Sequence, residues 1–506
     1  MQQGKVENLR VAARRLDGTL LTPGAVFGFW KQLGRPARRR GFVSGRMLQQ
    51  GCIVPAAGGG LCQLSNALYD VALNAGCEII ERHAHSRKIP GSAAETGRDA
   101  TVAWNYVDLR FRSPQPLLLR VRLTADELFV ELRAKTGVEG HAYRDTSRRE
   151  VEGFGETCAT CNEVSCFRHE RSSRRSEDRT AFLVNEAWPE FSQFIVGRAR
   201  SRAALFIPVD GRRFGLKRYD WETRGFTTVV TATTTTLRNS LAMRRMAEQG
   251  AARRAAELNS AERLAREFAR NLKPDVMEVC VAQSLLPWLW RDGHLGGRRF
   301  RVLMTALPIH ELQRRLDSAA LLRPESGTLS DFRAPSDLAE LECDALAAAE
   351  QLITPHAEIA KLFGDRAVKL AWRNPPPAAP ASMPCAARRI AFAGPTAARK
   401  GCYEVRDAAR ALDLDVVLSG SELEGDDFWH GIRTTRVESP DWLHAVAAVV
   451  QPAIVEQAPR RLLQALAAGV PVIATEACGL DPRPGLTIIP ACDSEALIAA
   501  LRAQLG

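Results

Sequence analysis

Three sets of residues in this 506-residue chain have the types and spacing for chemistry. In AVAAVVQPAIVEQAPRRLLQALAAGVPVIATEACG (445–479), Glu456 stands where an apolar run gives way to a helical pattern. A cation and a glycine, Lys400 and Gly401, end the turn of the earlier segment RRIAFAGPTAARKGCYEVRDAARA (388–411). A helix N-terminus outside the carboxyl end of a parallel strand is a ready phosphate site, so this set suits a nucleotide-linked substrate. The second set is Cys62, in GGGLCQLSNALYDVAL (58–73), with His83 and His85 in ERHAHS (81–86). A thiol at a helix start with a histidine nearby is the arrangement for nucleophilic acyl chemistry. The third is CATCNEVSCFRH, whose Cys158, Cys161, Cys166 and His169 follow C-x2-C-x4-C-x2-H. Three thiolates and an imidazole suit tetrahedral zinc; an iron–sulfur cluster is the alternative, though fewer accept histidine.

The elements that must position these groups are legible in the pattern. Ala445 to Val450 reads as a buried parallel strand, and Pro459 opens a helix with Leu462, Leu463 and Leu466 on one face. Gly469 ends it, and Val470 to Ala474 returns as strand. Gly58, Gly59 and Gly60 form a turn into a helix carrying Leu61, Leu64, Leu68, Val71 and Ala75 on its inner face, so Cys62 falls in the first turn. Cys77 to Ile80 then reads as strand, with both histidines beyond it. The glycines leave room for a substrate backbone, and Ser86, Asp99 and Asn105 are placed to orient a histidine or line that groove. Packing of Cys62, or binding of a peptide or cell-wall fragment, are the competing readings. From Thr180 the pattern turns to α/β, with strands expected in 203–210, 226–232, 275–282 and 300–306 and a long helical stretch over 239–272. PPPAAPASMP (375–384) reads as a stiff linker.

Composition narrows the classes. The length suits about three domains of ~150 residues. Net charge is +11, which favours an anionic partner, but Arg alternates with Asp and Glu over most of the chain. No nucleic-acid module is legible, so no nucleic acid is expected as a partner. The first residues lack the apolar core of a secretory signal, and no apolar run approaches the ~18 residues of a membrane span. Twelve dispersed cysteines fit a reducing compartment. A cytoplasmic protein is expected, with peripheral contact at the inner membrane face as an option.

The stretch 445–479 resembles the donor domain of retaining GT-B glycosyltransferases of family 4, which carry E-x7-E followed by A-x-A-x-G-x-P-V-I-A. The first acid matches Glu456, and the second position holds Gln464. The resemblance implies that Glu456 lies near the transferred sugar and that Gln464 faces the nucleotide ribose as an uncharged acceptor. Lys400 and Gly401 match the K-G pair of the family, whose G-R arginine is missing here because Pro395 follows Gly394. Arg399 is the substitute cation: an arginine fork beside a lysine suits a diphosphate. His356, in the passage 338–363, sits where a Ser is common, and His310 falls later than an acceptor-side histidine would.

Residues 5–137 resemble the VanW family through LDGTLLTPGAVFGFW (16–30), the Cys62 segment, ERHAHS and DATVAWNYVDLRFR (99–112). The resulting expectation is an α/β chain: a VanW-like α+β domain (1–140), a linker with the Cys/His knuckle (141–179), and GT-B halves for acceptor (180–378) and donor (379–506). The expected activity is sugar transfer from a nucleoside diphosphate sugar to a lipid-linked or peptidoglycan-related envelope precursor. A non-catalytic binder of the same ligands is the opposing class, and a Cys-dependent peptidase or acyltransferase in the first domain is a further option.

Overall fold

In the computed structural model the described residues are 2–49, 52–85, 94–134, 141–145, 179–198, 202–244, 246, 250–375, 388–437, 443 and 446–505. Cys158, Cys161, Cys166, His169, Ser86 and most of the Pro/Ala linker lie outside them.

Strand pairing divides the described chain into antiparallel and parallel parts. Up to residue 145 the sheets are antiparallel. One joins Thr19–Leu21, Leu117–Leu123, Leu128–Ala134 and His141–Asp145; another joins Val26–Gly28, Arg110–Arg112 and Glu78–Glu81. Strands Ser44–Gln49 and Cys52–Ala57 form a third. Helix Cys62–Asn74 buries Leu64, Leu68 and Val71, and helix Gln2–Leu16 buries Leu9, Ala12 and Leu16, in one core with Phe27, Phe29 and Phe111.

Two all-parallel sheets follow. The seven-stranded one runs Thr228–Thr231, Ala204–Ile207, Arg179–Leu183, Val276–Ala282, Arg299–Leu303, Gln351–Thr354, Ala367–Lys369. The six-stranded one runs Thr434–Arg436, Asp415–Leu418, Arg389–Phe392, Ala448–Gln451, Val472–Thr475, Leu486–Ile489. Both are Rossmann-like, as the GT-B plan requires. Ala448–Gln451 and Val472–Thr475 are buried at every position, because helices cover both faces of a parallel sheet. In each sheet the strand order reverses beside the first strand laid down, and the reversal opens a crevice outside the carboxyl ends. The long helix expected over 239–272 is two helices, Thr233–Met243 and Ala251–Asn271. Gly250, at φ +115°, starts the second, in a backbone region that few other residues adopt.

The two parallel halves are locked at the mouth of these crevices. Glu190, fully buried, receives both arms of Arg460 at 2.7 Å each and the backbone N–H of Arg373 at 2.8 Å. The Arg460 guanidinium lies 5.3 Å from the ring of Trp188 and 5.2 Å from that of Trp372, and Trp372 Nε1 donates to the Gly479 carbonyl at 2.8 Å. The N-terminal unit joins the middle one through polar contacts. Arg10 Nε donates to Gly296 O at 2.6 Å and Gly297 N to Thr124 O at 2.9 Å. Among the described residues no helix is long and apolar enough to cross a membrane.

Removing one partner of a buried ion pair costs about 3–5 kcal/mol. Arg460 keeps 34% of its side-chain surface and can rehydrate, so Glu190→Ala should cost roughly 2 kcal/mol, below that range. Thermal unfolding will show this as a lowered midpoint, and small-angle scattering as a larger radius of gyration. A variant matching wild type in both would remove Glu190 as the lock.

Candidate functional site

The crevice of the six-stranded sheet lies between Arg389–Phe392 and Ala448–Gln451, and each strand feeds it one charged group. After Phe392 the chain turns at Gly394 and Pro395, makes a single 3-10 turn Ala398–Lys400, and enters helix Cys402–Leu412 through Gly401. Gly401 has φ +83°, and a Cβ there would sit 2.2 Å from the Pro452 carbonyl oxygen, so only glycine brings the two loops this close. After Gln451 the chain delivers Glu456 at the foot of helix Arg460–Ala467.

Lys400 Nζ donates to Glu456 Oε2 at 2.8 Å and to the Val455 carbonyl at 3.1 Å. Glu456 Oε1 accepts the N–H groups of Gln457 and Ala458 at 2.8 and 3.0 Å, and Gln451 Nε2 also reaches Oε2. Only 10% of the Glu456 side chain and 13% of that of Lys400 is exposed. Burial pushes the carboxyl up, but the Lys400 charge and these hydrogen bonds outweigh it and hold Glu456 below the usual carboxylate range. Lys400 has three donors and spends two here, so one N–H remains for an anion.

The other expected donor residues divide. Gly394 is in the turn, where a Cβ would lie 3.1 Å from Lys400 Cβ. Arg399 is buried and its guanidinium packs 5.2 Å from the centre of the Phe332 ring; burial lowers its pKa, opposed first by the Glu456 charge. A cation that the sequence reading missed takes the opposite wall. Arg461 Nη1 donates to the Ala393 carbonyl and to Ser419 Oγ, both at 2.9 Å, directly before Gly394. Gln464 is exposed, three residues beyond Arg461 on the same helix.

The middle half closes over this crevice. His356 Nδ1 accepts the Ile359 N–H, which leaves the proton on Nε2, 3.0 Å from the Glu456 carbonyl. Burial lowers the His356 pKa, so the ring is neutral and serves as a donor. Thr328 Oγ1 accepts the Ala398 N–H at 3.0 Å and so props the Lys400 turn from the other half. His310 is exposed on helix Ile309–Leu322 and is not part of this set. A cavity of about 480 Å³ runs from here along the carboxyl ends of the seven-stranded sheet, where Asn185, Gln283 and Thr305 each follow a strand. Trp188, Arg254 and, from the other half, Gln457 also border it.

The N-terminal unit carries a separate arrangement. Cys62 is the first residue of its helix and is half-buried. Of the two histidines, His83 is exposed with Nε2 3.3 Å from Glu81 Oε1, whereas His85 and Cys62 lie near enough to shift each other's pKa. His83 therefore drops out as the thiol's partner. The glycines before Cys62 do not open a groove. A Cβ on Gly59 would lie 2.4 Å from the Gly45 carbonyl carbon, and one on Gly60 2.4 Å from Lys5 Cγ, so they serve close packing. Asn105 sits at φ +77° between the exposed Trp104 and Tyr106. Among the described residues no group of three or more His, Cys, Asp and Glu is arranged to hold a metal ion.

Residues 4–133 match the family described as VanW like protein, and residues 390–506 the family described as Glycosyl transferases group 1. The first segment is 30% identical over 132 residues to the uncharacterized protein YoaR of Bacillus subtilis, covering 26% of this chain and 43% of that protein. It is 33% identical over 129 residues to the vancomycin B-type resistance protein VanW of Enterococcus faecalis, covering 25% and 47%. The chain thus spans less than half of either relative. Among solved structures it is similar to a sucrose-phosphate synthase of Thermosynechococcus elongatus (14% identical, TM-score 0.41, covering 65% of this chain and 90% of that one). Another is a trehalose-phosphate synthase of Burkholderia vietnamiensis (11%, TM-score 0.38, 65% and 92%). The chain joins a VanW-type domain at 4–133 to a group 1 glycosyltransferase domain at 390–506.

Proposed function

We propose that this protein transfers a sugar, with retention, from a nucleoside diphosphate sugar to a hydroxyl of an envelope precursor. The enclosed Lys400–Glu456 pair at the strand-order reversal of the group 1 domain carries this reading. The diphosphate lies over the Gly394–Gly401 turn, where the spare N–H of Lys400 and the guanidinium of Arg461 neutralise the leaving group. Arg461 thereby takes the place first given to Arg399. Glu456 holds sugar hydroxyls, and Gln464, beside Arg461, faces the ribose. Cationic side chains stabilise the departing charge, so this step needs no metal.

The acceptor enters the cavity of the middle half, whose Trp188 and Arg254 suit a ring-bearing, anionic molecule such as a lipid-linked or peptidoglycan-related precursor. Such an acceptor fits a protein working at the cytoplasmic face of a membrane.

Lys400→Ala should abolish release of nucleoside diphosphate from the donor and, by leaving Glu456 buried without its cation, cost about 3–5 kcal/mol of stability. Adding Glu456→Gln should restore most of that stability but none of the turnover. Transfer by Lys400→Ala at the wild-type rate would refute the diphosphate role. Proton NMR of the first-formed product reports the anomeric outcome, and an inverted product would overturn retention.

Glu342, bordering the cavity, holds Gln283 Nε2 at 3.0 Å and the Ile309 N–H at 2.5 Å, and burial raises its pKa from 4.5 to about 7. The folded-state pKa is the higher one. Its stabilising contribution is therefore complete below the ordinary carboxylate value and is lost as pH rises through about 7. At about 1.4 kcal/mol per unit, the stability of Glu342→Gln relative to wild type should rise by roughly 2–3 kcal/mol between pH 4 and 8. Parallel pH–stability curves for the two proteins would mean that Glu342 stays ionised in the fold.

A further inference from the structure

The N-terminal domain brings a thiol, an imidazole and a carboxylate together from three separate stretches of chain. Asp99 is 2% exposed, and its Oδ2 accepts both the backbone N–H of His85 and His85 Nδ1, each at 2.7 Å. Arg82 fixes the same carboxylate from the other side, with Nη2 2.7 Å from Oδ1 and Nε 2.7 Å from the Asp99 carbonyl. With Nδ1 committed to Asp99, Nε2 is the ring nitrogen left to interact with Cys62, whose thiol is the foremost influence raising the His85 pKa. The thiol sulfur also lies 3.7 Å from Thr101 Oγ1 and 3.9 Å from the Val102 carbonyl. The helix that carries Cys62 is tied to the strip that carries Asp99. Ser65 Oγ donates to the Ala100 carbonyl at 2.5 Å, and the Ala100 N–H donates to Asn66 Oδ1 at 2.8 Å. A packing cysteine requires none of these bonds.

We infer that Cys62, His85 and Asp99 form a nucleophilic triad for acyl transfer from an amide or ester carbonyl. This activity is independent of the glycosyl transfer proposed above. Cys62 is the nucleophile, His85 the general base and acid, and Asp99 a positioning residue that fixes the His85 tautomer. The Cys62 sulfur attacks the carbonyl carbon and forms the C–S bond, while the thiol proton rests on His85. The tetrahedral intermediate collapses, the C–N or C–O bond breaks, and His85 returns the proton to the departing amine or alcohol. Water or an amine, deprotonated by His85, then attacks the thioester and releases Cys62. The N-terminal end of helix Cys62–Asn74 favours the thiolate. The exposed Trp104 and Tyr106 lie just beyond Val102 and offer ring faces to the substrate flanking the carbonyl.

The electrostatics agree with the geometry. Burial raises the Cys62 thiol, but the influence of His85, and after it of the Val102 backbone and the Thr101 side chain, prevails, and its pKa falls below the ordinary value. His85 is raised, first by Cys62 and then by Asp99. Among the described residues the foremost groups acting on this pair are each other, Asp99, and through Asp99 the Arg82 guanidinium.

The test uses the full chain and p-nitrophenyl acetate. Wild type should give a burst of about one p-nitrophenolate per chain, with the acetyl group on the Cys62 peptide in mass spectra. Iodoacetamide should alkylate Cys62 at near-neutral pH, and His85→Asn should move that profile upward by a unit or more and remove the burst. Asp99→Asn should slow acylation at least tenfold while leaving Cys62 alkylatable. If His85→Asn fails to fold, the wild-type alkylation profile decides alone. A midpoint at or above the free-thiol value of about 8.5, or a Cys62 that reacts only after denaturation, overturns the triad. Acetylation of other residues with Cys62 untouched overturns it equally.

Discussion

A carboxylate held 90% out of water beside a single ammonium is the constraint around which the C-terminal half is arranged. Glu456 stays ionised only because four donors saturate it, and those donors come from elements that must arrive together. Lys400 follows one strand at the reversal of strand order, while Gln451 ends the other and the Gln457 and Ala458 N–H groups lie just before the next helix. A parallel sheet with another strand order would part Lys400 from Glu456. The middle half acts on the same point, because neutral His356 grips the Glu456 carbonyl and Thr328 holds the Lys400 turn. Hinge motion between the halves would therefore disturb the pair as well as the Glu190–Arg460 lock.

The junctions between units use different physics. Glu190 and Arg460 meet in a bidentate pair walled by two indoles, which fixes both distance and rotation. The N-terminal unit instead docks through Arg10, Arg14 and Arg298 around Glu7 and the 294–297 loop, where Arg10 and Arg298 are buried near one carboxylate. Burial lowers the pKa of both guanidinium groups, and Arg10 Nη2 has no hydrogen-bond partner among the described residues. This second junction holds more positive charge than Glu7 can neutralise, so it is the less favourable of the two electrostatically.

What was legible in the sequence follows the range of the interactions. Glu456, Lys400, Gly401 and their strand–helix framework were readable because each is set within about a dozen residues. Arg399 was not. Adjacent residues in a 3-10 turn point about 120° apart, so the residue beside Lys400 is rotated onto Phe332. Arg461 was missed because the choice between it and Arg460 depends on how the helix is phased against Ser419 and Glu190. His83 and His85 looked equivalent, since alternate residues of an extended chain share a face. A carboxylate fourteen residues away breaks that symmetry, and Asp99 could only be one of three candidates until the loop closed. The three glycines before Cys62 were misread because their neighbours, Pro36, Gly45 and Lys5, come from other elements.

Lys400 and Glu456 form an enclosed ion pair, Cys62 and His85 a half-buried thiol and imidazole, and in the proposed chemistry the two pairs would act differently. At Lys400–Glu456 neither partner needs to change protonation. In the proposed donor site an incoming diphosphate would add negative charge beside the cation and leave the carboxylate to hydroxyl donors, so binding itself would do the electrostatic work. At Cys62–His85 the proposed chemistry would spend the pair: the sulfur would become a neutral thioester, and the proton on His85 would pass to the leaving group. Asp99 then has to remain ionised throughout, and its hydrogen bonds to Arg82 and to the His85 backbone, which do not involve the moving proton, ensure that. A site that works by binding tolerates an exposed, uncharged Gln464. One that works by proton transfer would not tolerate a loose third member, and Asp99 is by solvent exposure the most buried of the three residues.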